Sequence, residues 1–274
     1  MNYDVLVVGS GPAGLAAAVA ARGRDKSVLV VGNPWQESPL ARAERIDNYL
    51  GLPGVNGREL MEHFSAHAQR VGVEFHTGRV VAVMAWEGFA LTAGSEVFQG
   101  RTLVLAPGVA RLAKYPGEAE LLGRGVSYCA TCDGMLYRGK PVAVVGYTDT
   151  ARQEAEFLQK IGCSVTYFDR PKQCEIRGDG RVESVTCDGR TIPAEGVFIL
   201  RPTMAPTELF PGLAVEQGYV TVDRRMATNL PGLFAAGDCT GGPLQVSKAA
   251  GDGLIAGQSA AAWAAAQERR EKQS

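Results

Sequence analysis

Tyr3-Asp-Val-Leu-Val-Val-Gly9-Ser10-Gly11-Pro12-Ala13-Gly14 sets a short apolar run against a glycine-rich turn, and an Ala-rich stretch follows to Arg22. This reads as strand, glycine turn and helix, and a second apolar run at 27–31 completes a β-α-β unit. Each glycine of Gly9-x-Gly11-x-x-Gly14 has a mechanical job. The first permits the tight turn, the second lets the backbone approach a pyrophosphate with no Cβ in the way, and the third lets helix and strand pack closely. The N–H groups and positive end of the helix then hold the phosphates. The second strand ends in Val31-Gly32-Asn33, without the acidic residue expected to grip a ribose.

The same outline returns at 141–145, Gly146, 150–161 and 164–168, so the chain carries two dinucleotide-binding units. Between them the pattern predicts a helix over 57–71 and short strands over 73–83, 89–92, 97–98 and 102–105. Beyond 168, strand-like runs at 182–186 and 196–200 alternate with turns at Gly178-Asp-Gly180 and Asp188-Gly189. Residues 233–236 read as a strand and 241–267 as a helix. The fold class expected is α/β, with two Rossmann-like domains of which the second is reduced in size.

The chain has 274 residues, enough for two small domains that each bury a core. Lys plus Arg number 28 against 29 Asp plus Glu, and a net charge of -1 gives no electrostatic reason to expect nucleic acid or an anionic membrane. No apolar run approaches the roughly 18 residues that span a bilayer. No Lys or Arg precedes Arg22, so the signature of a signal peptide is lacking and a cytoplasmic location is expected.

Six cysteines do not make a disulfide scaffold in a chain this long, and one close pair stands out, Cys129 and Cys132. Four-ligand zinc needs a second pair. Cys163, Cys174 and Cys187 are scattered, Cys239 is alone, and His63, His67 and His76 fall in the other domain, so no metal is expected. Cys-x-x-Cys motifs often lower a thiol pKa, which suits reversible electron exchange. Asp133, next in sequence, has two readings: a proton relay to the departing thiolate, or the cap of a helix that starts there.

The run from Ala227 to Gly237-Asp238 delivers a strand's carboxyl end ahead of a helix. With 9–14 it resembles the two-part FAD site of the flavin-linked disulfide reductases, in which the aspartate bonds the ribityl chain. Ala106-Pro-Gly108 resembles a third piece. Cys129-Ala-Thr-Cys132-Asp133-Gly, Arg45-Ile-Asp-Asn48-Tyr and Gln245-Val246-x-x-Ala249-Ala-Gly-Asp252-Gly are similar to segments of the low-molecular-weight thioredoxin reductases, and the similarity runs over nearly the whole chain. It implies an FAD-binding domain of 1–110 with 206–274 and a smaller NADPH-domain-like unit of 111–205. FAD would be held by Gly9, Ser10, Gly11, Pro12, Ala13, Gly14, Asn48, Ala106, Gly108, Gly237, Asp238, Gln245 and Val246. Cys132 would face the flavin, Cys129 would be its disulfide partner and Asp133 the proton relay. Thioredoxin is the implied partner and a homodimer the implied assembly. The other four cysteines would be small buried apolar residues.

The match fails in the second unit. Thr148 stands where the family's second glycine loop has glycine, and Asp149 puts a carboxylate at the favourable anion position. Phe168-Asp169-Arg170-Pro171 replaces the His-Arg-Arg segment that recognises a 2′-phosphate, and the following stretch is short. An intact FAD site with a degraded nicotinamide site is similar to the ferredoxin-dependent flavin thioredoxin reductases. The expected route therefore runs from reduced ferredoxin through FAD to Cys129–Cys132 and on to thioredoxin. Three other readings use the same residues: an NAD(P)H-dependent thioredoxin reductase with an atypical site, a flavin dithiol oxidase using oxygen, and a non-enzymatic FAD-binding redox sensor.

Overall fold

The computed structural model describes residues 2–85, 87–108, 114–147, 150–201 and 206–273. The chain forms two compact units, Met1–Ala110 with Thr203–Ser274, and Arg111–Pro202. The first unit opens with β1 (Asn2–Val8), α1 (Pro12–Arg22), β2 (Val28–Gly32), α2 (Gly57–Arg70), β3 (Glu74–Thr77), β4 (Val80–Ala85), β5 (Phe89–Ala93) and β6 (Glu96–Leu105). The second holds β7 (Val126–Ser127), α3 (Ala130–Asp133), β8 (Pro141–Gly146), α4 (Thr150–Lys160), β9 (Ser164–Asp169), β10 (Cys174–Arg177), β11 (Ser184–Cys187), β12 (Arg190–Pro193) and β13 (Gly196–Leu200). The chain returns to the first unit through α5 (Pro206–Leu209), β14 (Val215–Glu216), β15 (Tyr219–Val220), β16 (Leu233–Ala235) and α6 (Val246–Glu271).

In the first unit β1 lies between β2 and β6 and pairs in parallel with both. Val5, Leu6 and Val7 are fully buried, which is why the run is continuously apolar rather than alternating. The order β3-β2-β1-β6-β5-β4 is completed by β16, which pairs with residues 103–105 of β6, while β5 uses residues 96–100. The two apolar segments expected at 97–98 and 102–105 are thus one strand. Gly100, which lies between the two segments, is there for close approach: a Cβ on it would lie 2.7 Å from Leu6 Cγ. The single run expected at 73–83 divides instead, where Thr77 ends β3 and the Gly78 N–H bonds the Gly32 carbonyl.

In the second unit β7, β13, β8 and β9 form a parallel sheet in that order. One face packs on Leu121, Val126, Phe168, Ile176, Val182 and Val185, the other on Ala130, Ala151, Ala155 and Leu158. A separate antiparallel sheet, β10-β11-β12, covers the first face. Its register pairs Cys174 with Cys187, and their sulfurs are bonded at 1.96 Å. This corrects the expectation of two small buried thiols; the pairing depends on the register of two strands 13 residues apart, which no spacing rule reveals. Cys163 and Cys239 are free and buried. Among the described residues no helix is long and apolar enough to cross a membrane.

Candidate active site

Four strands of the first unit deliver their carboxyl ends to one place. The Gly9 N–H bonds the Val31 carbonyl at the end of β2, the Ala106 N–H bonds Val8 at the end of β1, and the Ala236 N–H bonds Leu105 at the end of β6. Gly9 has φ +110, and a Cβ there would meet the Ala106 carbonyl oxygen at 2.2 Å. A Cβ on Gly14 would meet the Gly9 oxygen at 1.9 Å, whereas one on Gly11 would meet no protein atom within 4 Å. Gly11 therefore faces open space beside the start of α1, which has no side-chain cap and no acidic residue in its first turn. That is the cradle a pyrophosphate needs: exposed N–H groups, a positive helix end and no Cβ to obstruct it. Ser10 donates to the Asn33 carbonyl at 2.6 Å and so ties the loop to the end of β2.

The second piece of the site lies against the first. Gly237 has φ +82, and a Cβ there would lie 2.6 Å from Ala13 Cβ. Gly237 and Asp238 open a short 3-10 turn held by Asp252 of the matched segment and by Lys248, which the motif left as an unspecified position. Lys248 donates to the Gly237 carbonyl at 2.9 Å, to Thr240 Oγ1 at 2.8 Å and to the Gly241 carbonyl at 2.7 Å, and pairs with Asp252 at 2.8 Å. Asp252 in turn accepts from the Gly237 N–H at 3.2 Å. The Lys248/Asp252 spacing of four on a helix is the one sequence signal for this clamp. Gln245 is the N-cap residue of α6 and makes no side-chain cap bond, and Val246 packs beside Leu60 of α2 and Ile46, two residues before exposed Asn48. Gly108 has φ +74 just beyond Ala106. The Cys239 thiol is pushed up to about 12 by burial, and burial raises the Cys163 thiol, so both stay protonated.

In the second unit β7 leads directly into the cysteine pair, which is bonded with S–S 2.03 Å and Cα atoms 5.3 Å apart. Cys129 is buried and starts α3; Cys132 is exposed. The Cys132 N–H donates to Cys129 Sγ at 3.1 Å, and Thr131 Oγ1 lies 3.5 Å from the same sulfur, so donors already surround the atom that carries charge when the bond opens. The Ala130 N–H reaches Glu154 on α4 at 3.4 Å. Asp133 is the last residue of α3 and makes no side-chain cap to the 3-10 turn after it. Its carboxylate accepts from Ser127 Oγ at 2.7 Å, and the same hydroxyl accepts the Cys129 N–H at 3.1 Å. One hydroxyl thus fixes both the carboxylate and the cysteine backbone, and the cap reading of Asp133 loses its basis. Burial, and then the charges of Asp133 and Glu195, raise the Tyr137 phenol, which stays neutral.

Bulky side chains stand at the carboxyl ends of three strands of this sheet. Tyr128 follows β7, Tyr147 follows β8 and Arg201 follows β13. Arg201 pairs with Glu118, which is fully buried, through two hydrogen bonds, one of 2.7 Å. Tyr128 donates to the same carboxylate at 2.9 Å, and the Arg201 guanidinium stacks 5.3 Å over the Tyr115 ring. Burial opposes the Arg201 charge, but Glu118 outweighs it and the guanidinium pKa is raised. Tyr147 bonds the Pro171 carbonyl at 3.0 Å, and Arg170 donates to the Tyr147 carbonyl at 3.3 Å. A Cβ on Gly146 would fall 2.1 Å from the Tyr167 hydroxyl, and Asp169 is paired with Arg152 at 3.0 Å. Thr148 and Asp149 lie outside the described residues.

The family model of the pyridine nucleotide-disulphide oxidoreductases matches residues 3–175 and 170–253. A thioredoxin reductase of Listeria innocua is 34% identical over 94% of this chain and 92% of its own. The solved ferredoxin-flavin thioredoxin reductase of Clostridium acetobutylicum is 39% identical with a TM-score of 0.89, covering 95% of this chain and 97% of that one. A thioredoxin reductase of Gloeobacter violaceus superposes with a TM-score of 0.83 at 31% identity, over 97% of this chain and 95% of that one.

Proposed function

The chain belongs to the pyridine nucleotide-disulphide oxidoreductase family, as an FAD-dependent disulfide oxidoreductase of the thioredoxin reductase type, and on that premise we propose that its electrons come from reduced ferredoxin rather than from a nicotinamide. The observation that carries this reading is the Arg201–Glu118 pair, with Tyr128 beside it, at the carboxyl edge of the second sheet. Dinucleotides bind in the crevice outside the carboxyl ends of parallel strands. Here Tyr128, Tyr147 and the Arg201–Glu118 pair stand at those ends, and Asp169 faces Arg152 where a 2′-phosphate would need free cations. The likeness to the Clostridium acetobutylicum enzyme supports the same donor.

The first unit, 1–110 with 206–274, would hold FAD. Residues 9–14 with Ala106 and Gly108 would hold its phosphates and nearby atoms, Gly237 and Asp238 its ribityl chain, and Asn48, Gln245 and Val246 its ring. Flavin, when bound, supplies a centre that accepts electrons singly and gives them up as a pair. By the family resemblance Cys132 would be the flavin-side cysteine and Cys129 its disulfide partner, both on the 111–205 unit. Opening the Cys129–Cys132 bond takes two electrons and leaves two sulfurs that need protons. Asp133, held by Ser127, exchanges a proton there, and the Cys132 N–H supports the charge left on Cys129. One thiolate then attacks the thioredoxin disulfide and the other resolves the mixed disulfide, so thioredoxin leaves with two electrons and two protons. The same reading carries a homodimer in the cytoplasm, supported by the family resemblance.

The test is anaerobic stopped-flow reduction of the bound flavin with reduced ferredoxin, NADPH and NADH side by side. Ferredoxin is expected to bleach the flavin and both nucleotides to leave it oxidised. Rapid bleaching by either nucleotide overturns the proposal, and oxygen consumption driven by a dithiol without thioredoxin reduction would favour a dithiol oxidase.

A further inference from the structure

We infer that Cys174–Cys187 is a permanent second disulfide, closed to exchange, that braces the segment leading into the active-site cysteines. The Asp188 N–H bonds the Gln173 carbonyl, so the ladder bond falls on the neighbouring pair and Cys174/Cys187 is a non-hydrogen-bonded pair, where facing side chains come closest. Their Cα atoms are 4.2 Å apart. Cys174 is 6% exposed and Cys187 1% exposed, packed among Phe168, Ile176, Val182 and Val185. A thiolate must approach along the S–S axis to break the bond, and that approach is covered. The active-site pair cannot supply it either. Ala130, between the two catalytic cysteines, packs on one face of the parallel sheet, while Cys174 and Cys187 pack on the other.

What the staple holds is the approach to the site. The Ile176 N–H bonds the Pro116 carbonyl at 2.9 Å, and the Val182 N–H bonds the Arg124 carbonyl at 2.9 Å. Gly125 lies so close that a Cβ on it would be 2.5 Å from Val182. Residues 116–125 run straight into β7, Ser127 and Cys129, so β10 and the β10–β11 connection, which the staple closes into one loop, fix the first and last turns of that segment. Cross-linking across a separation of 13 residues removes freedom from the unfolded chain and spares the folded one.

The bond forms by two exchanges with a protein or low-molecular-weight disulfide before the strands close over it. One cysteine thiolate attacks the donor disulfide and expels one thiolate. The second cysteine, also deprotonated, attacks the resulting mixed disulfide and expels the other. The donor is reduced by two electrons, and the chain loses two electrons and two protons.

Trypsin cuts after Lys172, Arg177, Arg181 and Arg190, so the bond joins peptide 173–177 to peptide 182–190. The intact protein is to be treated with dithiothreitol without denaturant, alkylated, and digested with no further reduction. The expected result is alkylation of Cys129 and Cys132 with peptides 173–177 and 182–190 still joined; separate alkylated peptides carrying Cys174 and Cys187 overturn the inference. Replacing both Cys174 and Cys187 by Ala is expected to lower the unfolding midpoint by on the order of 10 °C while FAD stays bound. An unchanged midpoint refutes the bracing role. The peptide map needs no variant, and neither readout depends on which donor reduces the enzyme.

Discussion

Gly11 and Gly14 are three residues apart in one loop, and the structure assigns them opposite failures when each is changed to Ala. At Gly11 the backbone has φ -79, which any residue adopts, and the new Cβ meets no protein atom. Losing glycine at a helix N-cap costs about 0.5–1 kcal/mol, and the stiffer unfolded chain returns about 0.4–1 kcal/mol, so the apoprotein should keep its stability. The Cβ instead enters the space beside the first N–H groups of α1. Disturbing one or two charge-assisted hydrogen bonds of about 1.5–3 kcal/mol each weakens FAD binding by roughly 10- to 100-fold or more. At Gly14 the Cβ falls 1.9 Å from the Gly9 oxygen, a backbone atom that cannot swing away. Overpacking of that kind costs roughly 1–3 kcal/mol or more, so Gly14→Ala should unfold at lower temperature even without flavin. Thermal melts of the two apoproteins and fluorescence titration with FAD separate the effects. Wild-type FAD affinity in a folded Gly11→Ala protein would falsify the assignment of this loop to the pyrophosphate.

Cys129→Ser and Cys132→Ser should each abolish thioredoxin reduction and retain a yellow protein; loss of FAD from both folded variants would contradict the separation of flavin and disulfide roles. Asp133→Asn should lower turnover by roughly 100-fold or more and flatten its pH profile with FAD affinity unchanged, and a wild-type profile would remove Asp133 from proton transfer. Arg201→Met strands the buried Glu118 carboxylate and should cost about 3–5 kcal/mol, most of it recovered in Glu118→Gln/Arg201→Met, as denaturant midpoints would register; a double-variant loss equal to the sum of the Glu118→Gln and Arg201→Met losses would show that the pair is not coupled. The Cys239 thiol, raised from 9.0 to about 12, keeps its proton in the folded state while the unfolded chain loses it. Its contribution is complete below pH 9 and is lost as pH rises toward 12, at up to about 1.4 kcal/mol per pH unit, so Cys239→Ala should lessen the alkaline fall in stability. An identical slope in the variant refutes it.

The first unit was readable because its chemistry is local. Residues 9–14 bring their own strand, turn and helix, and Gly14 is required by the Gly9 oxygen inside the loop itself, although the Ala106 oxygen that requires Gly9 comes from the end of β6. Gly237 and Asp238 were readable for the same reason, as a strand end followed by a helix. Contacts set by register or distance were not. Lys248 is a cation on an exposed-looking stretch until the 3-10 turn folds back over it. Ser127 is an ordinary hydroxyl until β7 ends and places it between Asp133 and the Cys129 N–H. Cys174 and Cys187 looked scattered because strand register, not spacing, brings them together. Gly100 belongs with these, since its role of making room for Leu6 depends on β1 lying beside β6.

The two units share a β-α-β frame and differ at the tips of their strands, and that difference argues for the donor more strongly than any lost motif. A missing glycine or arginine weakens a nucleotide site without filling it. Glu118 and Arg201 fill theirs: a fully buried carboxylate and a guanidinium at a strand end are costly to place apart, so each requires the other, and Tyr128 and Tyr115 complete their coordination. Glu118 lies 11 residues before Cys129, Tyr128 is its immediate neighbour, and Arg201 follows the central strand. Reopening the crevice would mean breaking a buried ion pair that also anchors the residue preceding the active cysteine. A nucleotide would have to displace that network with its own phosphates, and Glu118 would meet them with like charge. The side chains on which the proposed choice of donor rests therefore also anchor the residue next to the active disulfide.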